Sequence, residues 1–89
     1  MKPIEKKRIE LPVTVCRDHA PSDRFPGQAW NFTFKDQDNN EYSWDTKTYP
    51  EIYIGEKWLA RMTIIGKDEC IGYPYFVVNQ VRLVKKLEQ

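Results

Sequence analysis

The run Cys16-Arg17-Asp18-His19 sets a thiol and an imidazole three positions apart, and Cys70 supplies a second thiol. A structural zinc site wants four ligands; only three good ones exist here, and Asp18 or Asp68 would have to complete the set. The same Cys–His pair could be a nucleophile and its base, but nothing supplies an oxyanion hole or a third, orienting group. His19 is the single histidine, and the chain has no glycine-rich phosphate loop. Asp36 and Asp38 are paired carboxylates, yet they sit in Asp36-Gln37-Asp38-Asn39-Asn40, where turn chemistry already accounts for them. The residues therefore predict no metal, no cofactor and no enzyme.

Binding of single-stranded nucleic acid needs cations for the phosphates and open aromatic rings for the bases. The cations are Arg17, Arg24, Lys35, Arg61, Lys67 and Arg82, and the rings that fall in loops are Phe25 and Tyr73. Asn31 joins them as a hydrogen-bonding group on the polar side of a strand, beside Thr33, Lys35, Ser43 and Asp45. Asp45 would repel phosphate. Charge is unevenly spread: residues 1–35 hold seven basic and four acidic residues, 36–56 one and six, and 57–89 six and three. The formal net charge of +1 excludes a protein clamped to duplex DNA by net charge alone.

The elements that must position these groups read as strands. Ile9, Leu11, Val13 and Val15 alternate with polar residues over 9–15. Pro12 cannot donate to a ladder and belongs at an edge or bulge. Residues 19–28, with two prolines and a glycine, read as a long loop. In 29–35, Trp30, Phe32 and Phe34 share one face; in 41–46, Tyr42 and Trp44 do so, and the Asp/Asn turn between makes a hairpin. Residues 47–56 are either a short helical turn begun at Pro50 or extended, ended by Gly55. A fourth strand spans 57–65. Gly66 to Pro74 reads as a loop, and a fifth strand runs from Tyr75 to about Leu83 with a frayed end beyond it. Phe76, Val77 and Val78 form a continuous apolar run, which predicts burial on both faces.

Eighty-nine residues make one domain, with an ordered core over about 5–84. Twelve aromatic residues, 13% of the chain, suit a small core, because each ring buries about 150–250 Å². Five strands fall short of the roughly seven of an immunoglobulin sandwich, so an all-β, five-stranded barrel is the better solution. The charged N-terminus lacks the apolar segment of an export signal, no stretch is a membrane span, and two cysteines fit a reducing cytosol.

The run Trp30-x-Phe32-x-Phe34-x-Asp36…Asn40-x-Tyr42-x-Trp44-x-Thr46…Gly55-x-x-Trp58, with the long 1–2 link and tight 2–3 hairpin, resembles small stand-alone OB-fold domains of bacteria, phages and plasmids. The resemblance covers roughly residues 5 to 84. It implies a Greek-key barrel and binding of single-stranded DNA or RNA across strands 2 and 3, walled by the 1–2 and 4–5 loops. The 3–4 segment departs from the family in being too short for a well-formed capping helix. An SH3-like barrel is the architectural runner-up. The functional runner-up is a module that docks a partner protein or a second copy; Tyr49, Tyr53 and Ile54 would then be an exposed patch rather than the barrel plug they are expected to form.

Overall fold

The computed structural model describes residues 2–20 and 29–87. Five strands, β1 (Lys2–His19), β2 (Trp30–Lys35), β3 (Glu41–Thr46), β4 (Lys57–Cys70) and β5 (Tyr73–Leu87), close into a barrel in the order β1-β2-β3-β5-β4. All neighbours are antiparallel except β3 and β5, which run parallel. Closure with this order is that of an OB-like barrel, and no helix occurs among the described residues.

The aromatic alternation of β2 and β3 builds the interior. Phe32 and Phe34 are fully buried and Tyr42 nearly so, together with Val13, Val15, Ala60, Met62, Ile64 and Val78. Trp30 and Trp44 pack against this core half-buried, with Trp44 5.9 Å from the Phe32 ring and 6.0 Å from that of Phe34. β1 serves two neighbours. Its second half pairs with β2 from Thr14 to His19; Pro12 falls before that pairing begins, opposite Leu59 of β4. On the outer side of β4, Arg8 donates to the hydroxyl of buried Thr63 (3.0 Å) and to the carbonyl of Gln80 (2.6 Å), lacing β1, β4 and β5 together.

Several boundaries differ from the sequence reading. β1 starts seven residues before Ile9, because its charged first half pairs along β4. His19 belongs to β1, and residues 21–28 of the expected loop lie outside the described residues. The 66–74 loop is instead hairpin: β4 runs on to Cys70, β5 begins at Tyr73, and only Ile71 and Gly72 turn the chain. Gly66 is no loop glycine but sits at a bulge opposite Val77. Lys85 to Leu87 are paired with Lys57 to Leu59 rather than frayed. The 3–4 segment is non-helical. Its plug is Ile52, fully buried, whereas Tyr53 and Ile54 are exposed and Tyr49 lies across Trp30 at 4.8 Å.

Candidate nucleic-acid interface

The outward side of the β2–β3 hairpin is built by the same alternation that fills the core. With Phe32, Phe34 and Tyr42 inside, Asn31, Thr33, Lys35, Ser43 and Asp45 must face out. Asn31 donates through Nδ2 to Ser43 Oγ (2.9 Å) and to Asp45 Oδ1 (2.8 Å), which fixes its amide across the hairpin. Arg17, paired with Thr33 on β1, forms an ion pair with Glu41. Its charge is thereby largely offset on this face.

β5 extends the face on the far side of β3. Ser43 lies opposite Val77, while Phe76 stacks on Tyr42 inside and Val78 is buried. Val77 therefore faces out, and the unbroken pairing from Val77 to Tyr73 carries Tyr75 and Tyr73 to the same side. Tyr73 is 71% exposed. Partial desolvation raises the Tyr75 phenol above its ordinary pKa, helped by the charge of Asp68 and, from β3, that of Asp45. The outward surface of β2, β3 and β5 thus has two aromatic rings beside hydrogen-bonding groups.

Tyr75 was missed in the sequence because Phe76-Val77-Val78 reads as buried on both faces. The signal that could have found it is the alternation Tyr73-x-Tyr75-x-Val77 against Phe76 and Val78. At the tip of the β4–β5 hairpin, Ile71 (φ 51°) and Gly72 (φ 80°) both adopt the left-handed region, as a two-residue type I′ turn requires. Glycine is suited to that; a β-branched residue is not. Ile71 is also 92% exposed.

The other candidates are distributed over the barrel. Arg61 lies on the β1–β4–β5 side, bonded to Glu10 at 2.9 Å and directly opposite Arg82. Lys67 holds its ammonium 5.9 Å from the Phe76 ring centre on the other side of the hairpin from Tyr73. Arg24 and Phe25 lie outside the described residues. Arg17, Asn31 and Lys35 are brought onto contiguous outward surface, with Tyr73 on the same side at the tip of the β4–β5 hairpin; Arg61, Arg82 and Lys67 lie elsewhere.

At the β2–β3 turn, Asp36 Oδ1 accepts the amides of Asp38 and Asn40 (2.9 Å each), and Oδ2 accepts Asn40 Nδ2 (3.0 Å) and the Tyr42 hydroxyl (2.8 Å). Burial pushes the Asp36 carboxyl up, but these bonds outweigh it and hold it below the usual range. Burial and the facing Asp36 push the Tyr42 phenol well up. Among the described residues no three His, Cys, Asp or Glu side chains gather to hold a metal, and both Cys16 and Cys70 are free thiols. Among the described residues no helix is long and apolar enough to cross a membrane. Compared with protein families, with curated proteins and with solved structures, the chain matches none.

Proposed function

We propose that this chain is a non-enzymatic module, working in a reducing cytosol, that binds single-stranded nucleic acid with little sequence preference across the outward face of β2, β3 and β5. The observation that carries this reading is that Tyr73 and Tyr75 of β5 share the outward side of Asn31 and Ser43, the side that OB-type barrels use. Every base has a π-face, so rings stack on it without regard to sequence. Lys35 supplies a phosphate contact at the β1–β2 edge of this surface, next to Arg17, whose charge is shared with Glu41.

Titration of the intrinsic tryptophan fluorescence with oligo-dT at low salt tests it. Binding should weaken as salt rises, because phosphate contacts release counterions. Tyr73→Ala should cost about 1–3 kcal/mol of affinity while leaving the fold intact. Absence of binding at roughly millimolar oligonucleotide would exclude a functional affinity for single strands.

Exposed Tyr53 and Ile54 favour a second reading, in which the 3–4 segment docks a partner protein or another copy of the chain. Light scattering and pull-down with Ile54→Asp discriminate it: a strict monomer that captures nothing excludes this role.

A further inference from the structure

A second feature lies where β2, β1 and β4 run side by side. Thr14 of β1 is the register partner of Lys35 on one side and of Lys57 on the other. Val13 and Val15 are buried, so Thr14 faces out between the two lysines. A cleft of about 210 Å³ opens over this row, lined by Pro12, Val13, Thr14, Lys35, Asp36, Gln37 and Lys57.

The charges are unbalanced. Among the described residues neither lysine has an ion-pair partner. Glu41, across the hairpin from Lys35, is engaged by Arg17. Asp36 is the one acidic group of the lining, and both its oxygens are turned to the donors of its own turn. Two ammonium groups flanking a hydroxyl over a concave surface offer a concentrated set of donors to an anion.

We propose that this cleft binds a phosphate monoester, with Lys35 and Lys57 as its cations and the Thr14 hydroxyl as a neutral donor. A monoester carries close to two negative charges at neutral pH, which matches two lysines better than the single charge of an internal phosphodiester. Building on the nucleic-acid reading, its source is the 5′-terminal phosphate of a bound strand; a free phosphate or small phosphate ester is the other source of the same chemistry.

The experiment uses the full chain and three probes: 5′-phosphorylated oligo-dT, the same strand with a 5′-hydroxyl, and inorganic phosphate. Strand binding is read by anisotropy of a 3′ fluorophore, and phosphate binding by amide shifts of Thr14, Lys35 and Lys57. The phosphorylated strand should bind about tenfold tighter than its 5′-hydroxyl twin. Lys57→Ala and Thr14→Val should each remove that gain and leave 5′-hydroxyl binding as it was. Equal affinity for the two strands, or a gain that persists in Lys57→Ala, overturns the strand end as the source. If neither strand binds but inorganic phosphate still moves those three amides, the nucleic-acid reading fails and the phosphate site stands on a small ester. If phosphate moves none of them and no gain is seen, the site is overturned while ordinary strand binding is untouched.

Discussion

At the scale of single residues, the most informative group is Asp36. One carboxylate accepts four hydrogen bonds and ties the β2–β3 turn to the Tyr42 ring inside the barrel. Its pKa is lower folded than the ordinary 3.8, so it contributes stability that is present above about pH 4 and lost as pH falls through the folded value below that. Urea unfolding midpoints across the acid range should therefore decline, and Asp36→Asn should flatten that decline while lowering stability at neutral pH by about 1 kcal/mol or more. An unchanged acid profile in Asp36→Asn would assign the dependence to other carboxylates. The Asp/Asn composition made this turn legible in the sequence. The reach of Tyr42 back to Asp36 was not, because it depends on how far an inward ring leans toward the barrel end. The solvated or paired state of an arginine is equally invisible: Arg17 is a free cation on paper and half of an ion pair in the fold.

Among the elements, β2 and β3 were readable almost to the residue. Their apolar positions alternate without exception, and a two-fold period has one structural meaning when a turn signal follows it. β4 and β5 were readable only in their core-facing parts. Beyond Ile65 the stretch has charges, two glycines and a proline, which locally argue for a loop. It is held as a hairpin by pairing of Lys67 with Phe76 through Cys70 with Tyr73, a choice of register that composition does not record. The tip of this hairpin invites a test. A β-branched residue in the left-handed region is strained by about 1–2 kcal/mol. Ile71→Asn, the favoured type I′ residue, should therefore raise the thermal midpoint by a few degrees, corresponding to about 1 kcal/mol. A lower midpoint would mean that Ile71 makes a compensating contact. Loss of oligonucleotide affinity in the same variant would show that the exposed isoleucine at the tip contributes to binding.

For the molecule as a whole, the rings carry the fold. Phe32 is fully buried and touches both Trp30 and Trp44 at ring-stacking range. Phe32→Ala should cost about 3–5 kcal/mol, a large part of the roughly 5–15 kcal/mol that holds a small domain together. Circular dichroism on heating checks it: a midpoint within a few degrees of the unmodified chain would contradict the central position given to this ring. The barrel class was legible because five extended segments with inward aromatics leave few other ways to bury them. What belongs to which outward surface was not, since that requires knowing that β5 lies beside β3 rather than beside its sequence neighbour alone.

That adjacency has a dynamic corollary. β3 and β5 are joined along only three residue pairs, Tyr42 with Phe76, Ser43 with Val77 and Trp44 with Val78, while β4 and β5 are joined over most of their length. The ring therefore has a short zip at one position of its circumference. Amide protons of this seam should exchange with deuterated solvent sooner than those of the β4–β5 ladder, through local openings well below the global unfolding energy. Tyr75 and Ser43 sit on either side of that zip, so a ligand spanning them would act as a clasp, slowing exchange there while leaving the far side of the barrel indifferent.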